Sequence, residues 1–190
     1  MKFIRTGIAD VVIIEPSVFG DERGYFVETF RQDKLDAFLG FKVDFIQDNE
    51  SKSGYGVLRG LHYQLAPAAQ TKLVRVIKGK VLDVAVDIRK GSPTFGQHVA
   101  VELSEQNKRQ MFVPRGFAHG FVVLEEETVF AYKVDNYYSP ENDRGLAFDD
   151  ASLLINWRVP KDQLQLSAKD TRQPGLANAE LFDFCFNLYA

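Results

Sequence analysis

Three histidines occur in the chain, and two of them, His62 and His119, sit where an imidazole could do chemistry. The run Gly56-Val57-Leu58-Arg59-Gly60-Leu61-His62-Tyr63-Gln64 reads as a strand carrying a guanidinium and an imidazole. In a regular strand Arg59 and His62 would point to opposite faces. Gly60 predicts a bulge that turns both into one cavity. An imidazole with an ordinary pKa of about 6.5 is available there as a general base at neutral pH. The motif Pro114-Arg115-Gly116-Phe117-Ala118-His119-Gly120-Phe121 delivers His119 into another strand, and Lys72 opens the strand Lys72-Leu73-Val74-Arg75-Val76-Ile77. In the strand after that, Asp83 and Asp87 share a face with Val81 and Ala85, while Leu82, Val84, Val86 and Ile88 form the other. A carboxylate in mid-sheet needs a cation, and Lys72 is the expected partner of Asp83. For Asp87 a solvated strand face is an equally good reading. Each residue alone also has a bland explanation. A strand histidine is commonly a satisfied structural group, Arg23 beside Asp21 and Glu22 reads as a surface ion pair, and Trp157 reads as packing.

The elements that must position these residues are mostly strands. Alternating or continuous apolar runs fall around 11–15, 25–30, 43–47, 57–63, 72–77, 80–88, 97–103, 110–113, 120–124 and 128–135, separated by Gly, Pro, Ser or Asn. Gly79 predicts a tight hairpin, and Gly91-Ser92-Pro93 a longer turn. A short helix is expected at 33–39, capped by Asp33 and stopped by Gly40, and another near 161–164 after Pro160. Many short strands with few helices imply an all-β sandwich or barrel, of jelly-roll type, with a mouth in which inward side chains can form a site. No repeat or long linker interrupts the sequence, so residues 1–190 are expected to form a single domain.

Composition narrows the function. Of 190 residues 45% are apolar, and 16 Phe and 7 Tyr stand against one Trp, which favours pleated surfaces. A net charge of −3 argues against a general nucleic-acid binder, so any anion site must be local. Cys185 has no partner for an internal disulfide, and the longest N-terminal apolar run, Val11-Val12-Ile13-Ile14, is too short for a membrane span or a signal peptide. A cytoplasmic enzyme without membrane contact is expected. The Pro-x-Gly-x-x-His motif is similar to one that supplies a metal ligand in cupin barrels. Their other motif needs His-x-His and a nearby Glu, and here His62 precedes Tyr63 and Gln64. A cupin-like jelly roll without bound metal or other cofactor is therefore expected.

Longer stretches resemble one family. Phe19-Gly20-Asp21-Glu22-Arg23-Gly24-Tyr25-Phe26, Gln47-Asp48-Asn49, Leu58 to Gln64, Lys72-Leu73-Val74-Arg75, Gly79 to Ser104, Val113 to Val122, Tyr132-Lys133, Tyr137-Tyr138 and Leu166-Ser167-Ala168-Lys169-Asp170 together look like the dTDP-4-dehydrorhamnose 3,5-epimerases. The resemblance covers nearly the whole chain. It implies that His62 is the catalytic base, Asp170 the carboxylate that orients it, and Tyr132 the proton donor on the opposite side of the sugar. It also implies that Arg23, Arg59 and His119 lie near the diphosphate, that Glu28, Gln47, Asp48 and Asn49 bind the nucleotide, and that Tyr138 stacks on thymine. Lys72 and Lys169 match substrate-binding positions. Asp143 departs from the pattern, standing where many relatives carry Glu. Family members resemble one another in forming homodimers with crossing N-terminal strands. The apolar runs Val11 to Ile14 and Tyr25 to Phe30 suit that role, with Phe19 near the partner's site.

The implied substrate is dTDP-4-keto-6-deoxyglucose, whose ketone acidifies the flanking C3 and C5 hydrogens. Inversion removes a proton, passes through an enolate and returns a proton to the other face. A base alone does not suffice, and Lys72 is the choice for holding the developing oxyanion, a contribution of roughly 3–4 kcal/mol per well-placed donor. No hydride moves, in keeping with the absence of a Rossmann fingerprint or a P-loop from the sequence. The alternatives are inversion of C3 or C5 only, a metal-dependent cupin enzyme using His62 and His119, and a sugar-nucleotide-binding barrel without catalysis.

Overall fold

The structure is a computed structural model and describes residues 1–189. The chain begins with β1 (Lys2–Arg5), β2 (Val12–Glu15), β3 (Val18–Asp21) and β4 (Gly24–Val27), then the helix α1 (Gln32–Leu39). It continues through β5 (Gln47–Ser53), β6 (Leu58–Gln64), β7 (Lys72–Lys78), β8 (Lys80–Asp87) and the short β9 (Arg89–Lys90). β10 (His98–Ser104), β11 (Gln110–Val113), β12 (Phe117–Val123), β13 (Thr128–Val134) and β14 (Asp143–Gly145) complete the strand-rich part. Three 3₁₀ turns, Lys161–Gln163, Asp170–Arg172 and Leu176–Asn178, precede β15 (Phe182–Asp183).

Two antiparallel sheets face each other. One has six strands in the order β1-β2-β11-β7-β13-β5, the other five in the order β10-β8-β12-β6-β14. This is the expected cupin-like jelly roll. Three apolar clusters follow from three buried surfaces. Val74, Val76, Val81, Ala85, Met111, Phe121 and Phe130 pack between the sheets. The outer face of the five-stranded sheet (Leu82, Val84, Val86, Ile88) is covered by the C-terminal segment through Leu153, Trp157 and Leu176. The outer face of the six-stranded sheet (Val12, Ile14, Leu73, Phe112) is covered by α1 through Leu35, whose burial stabilises by about 2 kcal/mol. Continuous apolar runs in β8 and β12 arise because both faces of these central strands are buried.

Several local expectations are corrected. Gly79 does not close a hairpin, because β7 and β8 belong to different sheets. It turns the chain from one layer to the other with φ 79°, where a Cβ would lie 2.3 Å from Thr128 Oγ1. The strand expected at 43–47 is absent, and the strand starts at Gln47 in a polar stretch. Helix α1 begins one residue earlier than expected and its N-cap is Arg31, so Asp33 lies in the first turn; Gly40 does end it. Val11 to Ile14 are buried within their own chain between β1 and β11. Asp87 is not solvated. It is fully buried, paired with Arg89 at 2.8 Å, and accepts hydrogen bonds from Ser92 and Thr94 at 2.6 Å.

Candidate active site

The inner core fills only part of the space between the sheets. Phe121 and Phe130, stacked at 4.1 Å, end that core and form the floor of a cavity of about 560 Å³. Arg59 and His62 both line it. The pairing of β6 with β12 runs His119 opposite His62 but Phe121 opposite Arg59, so β6 carries an extra residue and the bulge expected at Gly60 is present. Gly60 has φ 127°, and a Cβ there would lie 2.5 Å from the Gly120 Cα. Two facing glycines let the strands approach closely enough to aim both side chains inward.

His62 Nε2 lies 2.5 Å from Asp170 Oδ1. Asp170 is buried on the 3₁₀ turn Asp170–Arg172. Its other oxygen accepts from Ser167 Oγ at 2.7 Å, and its backbone N–H donates to the same Ser167 oxygen at 3.1 Å. Burial pushes the Asp170 carboxyl up, but the hydrogen bonds from His62 and Ser167 more than offset this and hold it below the ordinary carboxylate range. An ionised acceptor fixes the proton of neutral His62 on Nε2, which leaves the Nδ1 lone pair to act as base.

Tyr132 enters from the other sheet, on β13 beside Asn49 of β5. Burial raises its phenol above the ordinary value, only partly countered by Arg59, so it keeps its proton. Lys72 lies in the same cavity from β7. Burial lowers its ammonium to about 8, against the opposing attraction of Asp83 and Asp143. Lys72 is not the direct partner of Asp83, as expected from the sequence. His119 is, its Nε2 lying 2.8 Å from Asp83 Oδ1, because both residues face inward on neighbouring strands. Asp83 and Ser167 are therefore site residues missed as such. The signal for Ser167 is its place three residues before Asp170, the spacing at which a serine meets a following backbone N–H.

Beside the cavity, Asp143 Oδ2 accepts from the Tyr138 hydroxyl at 2.9 Å and from Lys169 Nζ. The shorter Asp143 side chain thus still bridges both residues. Gln64 clamps the loop that carries Tyr138, donating to Tyr137 O at 3.1 Å and accepting from Ser139 N at 2.6 Å. The Gln47-Asp48-Asn49 triplet does not act as one surface. Strand alternation leaves Asn49 in the cavity, with Gln47 Nε2 donating to its Oδ1 at 2.8 Å, and Asp48 outside, bound to Lys133 at 2.8 Å. Phe19 and Arg23 stand apart on the β3–β4 ribbon, where Arg23 pairs with Asp21 at 2.5 Å. Glu28 pairs with Lys34 at 3.0 Å. His98 lies outside the cavity, and among the described residues no three His, Cys, Asp or Glu converge as metal donors.

This arrangement matches known proteins along most of the chain. Residues 5–178 fit the family model described as dTDP-4-dehydrorhamnose 3,5-epimerase. The chain is 54% identical to the dTDP-4-dehydrorhamnose 3,5-epimerase of Shigella flexneri, over 96% of this chain and 99% of that protein. It is 50% identical to the enzyme of the same name from Pseudomonas aeruginosa, over 96% and 99%. The crystal structure of a dTDP-6-deoxy-D-glucose-3,5-epimerase from Legionella pneumophila, in complex with dTDP-4-keto-L-rhamnose, is 48% identical. It superposes with a TM-score of 0.92, covering 96% of this chain and 98% of that one. With a jelly roll, a histidine–aspartate pair and a near full-length match, this chain belongs to the dTDP-4-dehydrorhamnose 3,5-epimerase family of isomerases.

Proposed function

We propose that this chain inverts C3 and C5 of dTDP-4-dehydro-6-deoxy-D-glucose to give dTDP-4-dehydro-L-rhamnose, by proton removal beside the 4-ketone and reprotonation on the opposite face. The observation that carries this reading is the opposition of two groups across one cavity: the His62–Asp170 pair on the five-stranded side and the protonated Tyr132 on the six-stranded side. His62 Nδ1 takes the proton, and Asp170 balances the imidazolium that results. The enolate oxygen is met by the Lys72 ammonium, whose charge is worth most in a site closed to water. Tyr132 gives a proton to the carbon from the other side, and solvent restores both groups before the second centre reacts. Only protons move, so the chemistry asks for no hydride carrier.

Arg59 at the cavity and Arg23 from the ribbon suit the diphosphate. Tyr138, held by Asp143 and Lys169, offers a flat exposed ring to the base. His119 is the exception to the diphosphate reading, since it sits buried near the floor beside His62, and we place it at the sugar. Glu28, Gln47, Asp48 and Asn49 are read as the nucleotide side of the site. The enzyme is read as a single domain and as a homodimer in which the β3–β4 ribbon brings Phe19, Arg23 and Glu28 to the partner's cavity. It is read as cytoplasmic; no helix among the described residues is long and apolar enough to cross a membrane. Incubation with dTDP-4-dehydro-6-deoxy-D-glucose in D2O tests the reaction. Deuterium at both C3 and C5 of an inverted product is expected, and label at one carbon only would replace the reading with a mono-epimerase.

A further inference from the structure

A second histidine–aspartate pair adjoins the same cavity, with His119 in its lining and Asp83 buried behind it, and one of its atoms is unexplained. Asp83 is fully buried on the inner face of β8. Its Oδ1 meets His119 Nε2 at 2.8 Å, yet among the described residues its Oδ2 is buried without any hydrogen-bond partner. A carboxylate oxygen stripped of water and left without a donor is costly, and such groups persist where their charge serves another group. The group it can serve lies on the facing sheet. Lys72 has no hydrogen-bonded or ion-paired partner among the described residues, but Asp83 is the strongest attraction that keeps it charged.

We infer that Asp83 is a positioning residue for the reaction: one oxygen orients His119, and the free oxygen supplies the negative charge that keeps Lys72 an ammonium at the cavity floor. The inference rests on the reading of Lys72 as the group that meets the enolate oxygen. Other charges also face Lys72. Asp143 on β14 supports the ammonium and Lys169 on the C-terminal segment opposes it. Arg59 and His62 on β6, His119 on β12, Tyr132 on β13, Glu50 on β5 and Asp170 share the cavity. Asp83 is set apart from the other carboxylates by its complete burial and by the oxygen that nothing satisfies. Asp170 is already engaged by His62 and Ser167, and Asp143 by Tyr138 and Lys169. The inner floor would otherwise hold a desolvated amine close to neutrality at working pH.

Asp83→Asn isolates the charge, because its carbonyl can still accept from His119. The direct readout is the pH dependence of Lys72 arylation by trinitrobenzenesulfonate, followed by peptide mass mapping, since only the neutral amine reacts. A midpoint near 8 is expected in the unaltered protein. In Asp83→Asn it should fall by a unit or more, which raises Lys72 reactivity below that midpoint by about tenfold. The alkaline limb of kcat should move down in parallel, with little change in KM. An unmoved Lys72 midpoint in folded Asp83→Asn overturns the inference. If that variant does not fold, Lys72→Met replaces it, read by the NMR titration of the Asp83 carboxyl. Burial already holds that carboxyl above the ordinary range and the Lys72 charge pulls it down, so loss of the ammonium should raise it further, and an unmoved Asp83 overturns the inference equally. Wild-type turnover by Lys72→Met would instead sink the oxyanion role of Lys72, while the arylation midpoints would still decide whether Asp83 governs its charge.

Discussion

At the scale of single residues, the chemistry depends on groups whose ionisation is set by what surrounds them. In the proposed reaction His62 serves as base because Asp170 holds its Nε2 proton, and Asp170 stays ionised because Ser167 and His62 outweigh its burial. Asp170→Asn keeps the shape but removes the charge, and kcat should fall by roughly 10²–10⁴-fold with modest change in KM in steady-state assays. Tyr132→Phe keeps the ring and removes only the proton. Hydrogen exchange with D2O should then outrun formation of inverted product, because His62 can still form the enolate and return its own proton. Exchange and inversion falling together would remove Tyr132 from the donor role. Lys72 gives a pH signature of opposite sign for catalysis and for folding. Activity should decline as pH rises through about 8, where the ammonium is lost. Its native pKa lies below the ordinary lysine value, so between about 8 and 10.5 the unfolded chain binds more protons. The stability contribution of Lys72 should therefore rise across that window. Parallel kcat–pH and urea-unfolding series would reveal the divergence.

At the scale of elements, the site depends on how closely β6 and β12 approach. A Cβ at Gly120 would lie 2.8 Å from Arg59 O and 3.0 Å from Gly60 Cα, both backbone atoms that cannot swing aside. Gly120→Ala should force the bulge open, destabilise the fold by on the order of 2 kcal/mol, and misplace His62 against His119. Chemical denaturation and turnover should both register the change, whereas intact activity with unchanged stability would show that the bulge can relax elsewhere. The Gly60 bulge was legible in the sequence, because a glycine between two polar residues of unlike parity has few other uses. The pairing at Gly79 was not. Both β7 and β8 are suited to burial, and such strands do not reveal which neighbour they choose. Strand β5 was hidden for the converse reason. Its inward residues Asn49 and Ser51 line the cavity and not the core, so no apolar alternation marks it.

At the scale of the whole molecule, the β3–β4 ribbon pairs only with itself and leaves Phe19, Tyr25 and Phe26 exposed at 64%, 60% and 68%. Three large rings on one short ribbon form a surface that water penalises and that a second copy could cover. Lys108 covers a small part of it, its Nζ 4.3 Å from the Tyr25 ring centroid and donating to the Tyr25 hydroxyl at 3.0 Å. Phe19→Asp combined with Phe26→Asp should convert a dimer to monomer in sedimentation experiments and weaken substrate binding by at least about tenfold. A monomeric unaltered enzyme with full activity would show that the ribbon is not shared between subunits.

What the sequence determined by itself was the all-β class and, through the resemblance, the His62, Asp170 and Tyr132 roles now proposed for the cavity. These rest on residue types and on spacing within single strands, which local chemistry constrains. What only the tertiary structure decided was partnership across strands. Asp83 bonds His119 of the neighbouring strand β12 and not Lys72. Val11 to Ile14 pair with β11 in their own sheet, while the β3–β4 ribbon pairs only with itself. The physical reason is common to both. A strand's sequence fixes the parity of its side chains, but the identity of the facing atoms depends on which distant strand lies alongside, and in this fold consecutive strands such as β7 and β8 are sent to opposite sheets.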